Sequence, residues 1–279
     1  MVKSLVILIL FVFGVVASKE DVPSSRVAGG AETFPGQFPY VVSIDSPYNL
    51  HCGGTILNRQ HVLTTGYCVM HPVSFTLVNP FWLRVIAGDV NLVSPSIRRE
   101  VRNVTHIFVH PNYNLLTGNN DLAVMRLHTP LPEFHNTIEP ASINRRLLSD
   151  NTMCQYAGWG ALSNTAPNVL FPRQHFINVP ILPTEQCNAP NVHGNRVLPT
   201  MFCAGSITTN PNTVCHGNIG GGLFCNDQLT GVLVFGLACG TANQPGVYMD
   251  VRQYREWIDL QFDRTDNPPP GWSPPMPTN

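Results

Sequence analysis

Charge is scarce in this sequence. Over 279 residues, 16 Lys and Arg stand against 17 Asp and Glu, leaving a net charge of −1. Such a balance offers no broad electrostatic attraction to nucleic acid or to an anionic membrane surface. No Cys-x-x-Cys pair occurs, and the eight cysteines are scattered from Cys52 to Cys239, which is not metal-ligand spacing. The amino-terminal apolar stretch, Leu5 to Val16, is twelve residues long, well short of the roughly 20 that cross a bilayer. No nucleic-acid partner, membrane anchor, metal or cofactor is therefore expected.

That short stretch has the build of an export signal. Lys3 supplies a positive start, the apolar run follows, and Val15-Val16-Ala17-Ser18 offers small residues for cleavage. Residues 1–18 are read as a signal peptide and the chain as secreted and extracellular. An even number of cysteines in an exported chain predicts disulfides, although counting alone leaves their connectivity open. Asn103-Val104-Thr105 is an N-glycosylation sequon, which the secretory route makes usable at Asn103.

Residues 19–26 form a short polar stretch with Pro23 and no cysteine, read as a propeptide-like segment. From Val27 onward, short β-branched or aromatic runs alternate with Gly, Pro and Asn: Tyr40 to Ile44, Thr55 to Leu63, Trp82 to Ala87, Ala123 to Leu127, Gln174 to Val179, Leu229 to Leu237 and Gly246 to Val251. Many short strands predict an all-β sandwich or barrel. Apolar residues three and four apart over Val251 to Phe262 predict one amphipathic helix. Residues 263–279 carry six prolines and are read as a disordered tail.

Several local patterns then occur in a recognisable order. Arg26-Val27-Ala28-Gly29-Gly30 is followed by His51-Cys52-Gly53-Gly54-Thr55-Ile56-Leu57, Val62-Leu63-Thr64-Thr65-Gly66-Tyr67-Cys68, Val109-His110-Pro111-Asn112-Tyr113 and Asn120-Asp121-Leu122-Ala123. Ala157-Gly158-Trp159-Gly160, Met201-Phe202-Cys203-Ala204-Gly205, Gly217-Asn218-Ile219-Gly220-Gly221, Pro245-Gly246-Val247-Tyr248 and Trp257-Ile258 complete the series. In these motifs the sequence resembles the trypsin-like serine proteases from Val27 to about Leu260. The resemblance implies a domain over residues 27–262 made of two packed antiparallel β-barrels with a carboxy-terminal helix, the boundary lying near residue 137. It implies the bridges Cys52–Cys68, Cys154–Cys225, Cys187–Cys203 and Cys215–Cys239, and an activation-like cleavage between Arg26 and Val27.

The resemblance implies that two of the three residues on which catalysis depends have been replaced. Peptide hydrolysis by this family needs a serine hydroxyl, an imidazole to accept its proton, a buried carboxylate to orient the imidazole, and backbone donors for the oxyanion. Ile219 stands at the nucleophile position and Tyr67 at the base position, and a phenol is a poor proton acceptor near neutral pH. Asp121 remains at the third position, where backbone or phenol donors are expected to satisfy it.

In the oxyanion loop, Gly217 precedes Asn218, an amide where the family has the carboxylate that pairs with the freed amino terminus. Thr213 gives the substrate-pocket-like site a neutral floor, Val234 replaces a serine, and Gly236 and Gly246 are expected to keep the walls open. The stretch Val69 to Ala87 is long and apolar and is expected to pack as core. Asp89 to Glu100, where some relatives bind calcium, offers those two acids alone, so no metal is expected.

The function predicted is that of a catalytically inactive protease homologue acting as a binding module, cofactor or decoy, as the resemblance implies in an extracellular proteolytic or immune cascade. Its partner would be an extracellular protein or peptide, such as an active protease or its substrate. The alternative is a weak or unconventional serine-type endopeptidase.

Overall fold

The computed structural model describes residues 30–46, 48, 51–160, 171–208, 219–236 and 242–266. The signal and propeptide-like segments, Arg26, Val27, Thr213, Gly217, Asn218, the Cys215–Cys239 pair and the tail from residue 267 lie outside the described residues.

Strands β2 (Val41–Asp45), β3 (His51–Asn58), β4 (His61–Thr64), β5 (Arg84–Ala87), β6 (Glu100–Val109) and β7 (Ala123–Leu127) close a first antiparallel barrel in the order β2-β3-β4-β7-β6-β5. The second barrel contains β8 (Met153–Gly158), β9 (His175–Leu182), β10 (Met201–Ala204), β11 (Gly222–Cys225), β12 (Gln228–Phe235) and β13 (Gly246–Asp250). Its order is β9-β10-β13-β12-β11-β8, closed by β8 pairing back to β9, with the two-residue strand β1 (Ala31–Glu32) on the edge of β9. The boundary expected near residue 137 falls in the connection between β7 and β8.

Local chemistry accounts for the turns. The run Thr55 to Leu63, expected as one strand, is a hairpin: the Asn58 side chain accepts the Gln60 amide at 2.9 Å and folds the chain back without Gly or Pro. Asn226 and Asp227 both take positive φ, 51° and 60°, as the two-residue connection between β11 and β12 requires. The predicted helix begins instead as a 3-10 turn, Val251–Tyr254, because the Asp250 side chain accepts the Arg252 amide; only Arg255–Leu260 is α-helical (α2, after the single turn α1, Thr184–Cys187).

Two expectations are corrected. Residues 263–266, assigned to the tail, are held on the first barrel: His106 Nε2 donates to the Thr265 carbonyl at 2.9 Å, Arg126 to the Arg264 carbonyl at 3.1 Å, and the Arg264 guanidinium lies 4.8 Å above the Phe108 ring. In the stretch 69–87, Val78 is buried but Val73 and Phe81 are 79% and 58% exposed, as are Phe75 and Trp82 in large part. Val69, Met70, Leu83 and Val85 already fill that part of the barrel interior, while Val73 and Phe75 lie in the segment closed by the Met70–Leu77 bridge and Phe81 and Trp82 in the 3-10 turn Pro80–Trp82.

Three of the expected disulfides are formed: Cys52–Cys68 joins β3 to the turn after β4, Cys154–Cys225 ties β8 to β11, and Cys187–Cys203 ties α1 to β10. Each such link typically contributes about 2–4 kcal/mol. Between the barrels lies a shared core in which Phe38, Leu63, Phe108 and Val124 meet Phe224, Val232, Tyr254 and Ile258.

One close contact between the barrels is backbone. The Gly53 amide of β3 donates to the Ile219 carbonyl at 2.8 Å. Gly220, at φ +82°, sits so close that a Cβ would lie 2.3 Å from Thr64 Oγ1 and 2.6 Å from the Gly53 carbonyl oxygen. Gly220→Ala is expected to destabilise the fold by about 2–4 kcal/mol, combining left-handed strain with a clash that backbone must relieve. Urea denaturation measures it; an unchanged midpoint would mean that the barrels do not depend on this approach.

Candidate functional site

The cleft is built from the ends of elements belonging to both barrels. Tyr67 opens the 3-10 turn Tyr67–Val69 that follows β4, Asp121 precedes β7, and Ile219 leads into β11. These three sequence-predicted positions line one cavity of about 420 Å³, together with Tyr113, Leu115, Leu116, Leu198, Val234 and Phe235. Among its described lining residues are no histidine, serine or cysteine; Thr117 and the phenols of Tyr67 and Tyr113 are its hydroxyls.

Asp121 is 4% exposed. Its Oδ1 accepts the Tyr67 backbone amide at 2.9 Å, and the Gly66 amide and Tyr113 hydroxyl also donate to the carboxylate. Burial pushes the carboxyl up to about 7, against the downward pull of those three donors. Burial, helped by the Asp121 charge, drives the Tyr113 phenol far above its ordinary value, so it stays protonated as a donor.

Gly66 makes this arrangement possible. A Cβ there would stand 2.9 Å from the Tyr113 ring and 3.1 Å from Asp121 Oδ1, so any larger residue displaces the ring from the carboxylate. Tyr113 and Gly66 were visible in the sequence as parts of motifs, but only as a strand entry and a flank. Their pairing across 47 residues carries no local signal.

The loop carrying Asp121 is fixed from the other barrel. Asn120 takes φ +54°, its amide donates to the Asn112 carbonyl at 2.9 Å, and its Oδ1 accepts the Tyr254 hydroxyl at 2.8 Å. His110 packs edge-on against Tyr254 and 4.9 Å from the Trp257 ring, which makes it part of the barrel interface.

The remaining predicted residues are placed as follows. Val234 is buried in the cavity wall and brings no donor to Asp121. Gly236 does not hold a wall open: at φ +95° a Cβ would lie 2.2 Å from the Pro245 carbonyl oxygen, so the glycine lets two backbone segments close together. Gly246, buried at the start of β13, is the neighbour it closes upon. Asn103 is exposed in the middle of β6.

In the loop between β5 and β6, an arginine brings positive charge to Asp89. Arg99 Nε donates to the buried Asp89 carboxylate at 3.1 Å and Nη1 to the Leu92 carbonyl at 3.1 Å, while Nη2 contacts the Asn91 carbonyl. Burial raises the Asp89 carboxyl, but amide donors from Ser96 and Asn91 and the Arg99 guanidinium outweigh it and hold it below its ordinary value. Cys187, His193 and Cys203 also lie close together, but both sulfurs are joined in a disulfide.

The trypsin family model matches residues 27–258. The chain is 30% identical over 256 residues to a trypsin of Xenopus laevis, covering 92% of this chain and 97% of that one. It is 28% identical over 243 residues to trypsin-3 of Salmo salar, covering 87% and 95%. To ovochymase of Halocynthia roretzi it is 32% identical over 251 residues, 85% of this chain but only 15% of that protein.

Two measurements test the site. A carboxyl raised in the fold binds its proton more tightly there than in the unfolded chain, so its stabilising contribution is full below about 4 and is lost as pH rises through about 7. The stability difference between wild type and Asp121→Asn should therefore shift against wild type from pH 4 to pH 8; urea midpoints that move in parallel would mean that the three donors fully offset the burial of the carboxyl. Separately, Arg99→Met should lower the melting temperature by several degrees, and added calcium should leave wild type unchanged; a calcium-dependent rise would show that Arg99 has not replaced the ion.

Proposed function

Since the chain belongs to the trypsin family, we propose that it is a secreted member that has lost peptide-bond hydrolysis and works by binding an extracellular protein or peptide. The observation that carries this reading is the state of Asp121: with Tyr67 and Ile219 beside it, its oxygens are engaged by the Tyr67 and Gly66 amides and the Tyr113 hydroxyl. With a phenol at residue 67 the carboxylate has no imidazole to orient, and the two neighbouring positions supply neither imidazole nor primary hydroxyl. In subtilisin, an unrelated fold with the same triad, loss of the nucleophile or the base alone costs roughly a million-fold in turnover.

The cleft remains as a cavity, and its apolar lining by Leu115, Leu116, Leu198, Ile219, Val234 and Phe235 suits an extended peptide carrying apolar side chains. A buried Lys or Arg of the ligand would find Asp121 already engaged and Arg196 at the wall. An active protease or its substrate presents such segments, so the protein would serve as a cofactor or decoy in an extracellular proteolytic cascade, including one of immune defence. Export through residues 1–18, cleavage after Arg26 and a glycan at Asn103 belong to the same proposal. No helix among the described residues is long and apolar enough to cross a membrane.

Purified wild type should show no turnover of a mixed peptide library, cut or uncut after Arg26. The combined Tyr67→His, Asn218→Asp and Ile219→Ser variant, once cut, should gain measurable hydrolysis. Wild-type turnover that persists after contaminating proteases are removed sinks the proposal and favours an unconventional endopeptidase.

A further inference from the structure

A second cavity, of about 730 Å³, shares no lining residue with the cleft. It opens between the connection that joins the barrels and helix α2, and Arg145, Arg146 and Arg255 face it with one acid, Asp259. Three guanidiniums against one carboxylate make the wall cationic in a chain whose net charge is −1. Among the described residues neither Arg145 nor Arg255 has a side-chain hydrogen bond or ion pair, whereas the neighbouring Arg252 is neutralised by Asp250 at 2.6 Å.

The turn presenting the first two arginines is fixed from within. Asn144, 2% exposed, accepts the Arg146 amide at 2.9 Å and donates to the Arg146 carbonyl at 3.1 Å and to Thr230 Oγ1 at 3.2 Å. Arg252 Nη1 donates to the same carbonyl at 2.9 Å, and the Asn144 amide donates to Leu229 at 2.9 Å. A cationic turn whose backbone is already ordered loses little entropy when an anion arrives. Beside it, Leu57, Ile143 and Phe262 supply an apolar floor.

We propose that this cavity binds an acidic peptide segment of a partner protein, with carboxylates on Arg145, Arg146 and Arg255 and an adjacent apolar side chain on the Leu57, Ile143 and Phe262 floor. The apolar floor favours a peptide over a sulfated glycan, which has no apolar side chain to place there. Bidentate pairing of guanidinium with carboxylate gives the site its selectivity. The site is independent of whatever occupies the cleft and of whether the protein hydrolyses peptides.

The test uses the full chain and a fluorescein-labelled hexapeptide alternating Glu and Leu, with its Gln counterpart, read by fluorescence anisotropy. The acidic peptide should bind about tenfold or more tightly than the amide peptide and weaken as salt rises. Arg145→Gln combined with Arg255→Gln should lower its affinity about tenfold or more, while Arg98→Gln, an equal charge loss per site elsewhere, leaves it unchanged; melting curves verify that each variant is folded. Lack of saturable binding up to about 1 mM, equal binding of the Gln peptide, or equal affinity in the double variant and Arg98→Gln overturns the proposal. So does a heparin fragment that displaces the peptide and binds more tightly, which assigns the cavity to polyanions.

Discussion

At the cleft the two barrels are held by a close backbone approach, with Gly53 and the Thr64 hydroxyl on one side and Ile219 and Gly220 on the other. Side chains could not be packed at such a separation, so the approach depends on Gly220 and is continued by Gly222, whose missing Cβ makes room for Thr55 Oγ1. The cleft follows from this contact. Tyr67 and Asp121 come from one barrel and Val234 and Phe235 from the other, and the approach at Ile219 sets how far apart those two walls stand. The shared core of Phe108, Leu63, Phe224 and Val232 then removes the seam from water.

Burying a carboxylate in that seam is costly unless donors surround it. Here the donors come from the chain's own backbone at Gly66 and Tyr67 and from the Tyr113 phenol. The arrangement is steric as well as electrostatic, since the ring of Tyr113 occupies space that a Cβ at residue 66 would need. Asp121 therefore has a structural job that does not require an imidazole, and its presence does not imply a working base.

Positive charge inside the loop at 89–99 is handled in the same way. Carbonyl oxygens of Asn91 and Leu92 and the Asp89 carboxylate converge on the Arg99 guanidinium, an internal cation that needs no ligand exchange with solvent. In both places the molecule satisfies buried charge with groups from its own chain.

How much of this was readable beforehand depended on range. The glycine- and cysteine-bearing motifs identify the two-barrel fold because they record close backbone approaches and bridges that many residues must accommodate together, as at Gly220 and Cys154–Cys225. The replacements at Tyr67 and Ile219 were equally plain, since a missing hydroxyl or imidazole is a property of the residue itself. Strand β6, with its polar and charged residues, and the hairpin turn at Asn58 escaped periodicity because an exposed barrel face and an Asn side-chain turn leave no alternating or Gly-Pro pattern. The exposure of Val73, Phe81 and Trp82 followed from a barrel interior already full. The sequence by itself determined the family and which residues stand at positions 67, 121 and 219, and its resemblance implied the three bridges that are formed among the described residues. Only the tertiary structure decided that Tyr113 donates to Asp121, that Arg99 fills an oxygen cluster and that Arg145, Arg146 and Arg255 share a cavity, because each of those depends on distances between residues far apart in the chain.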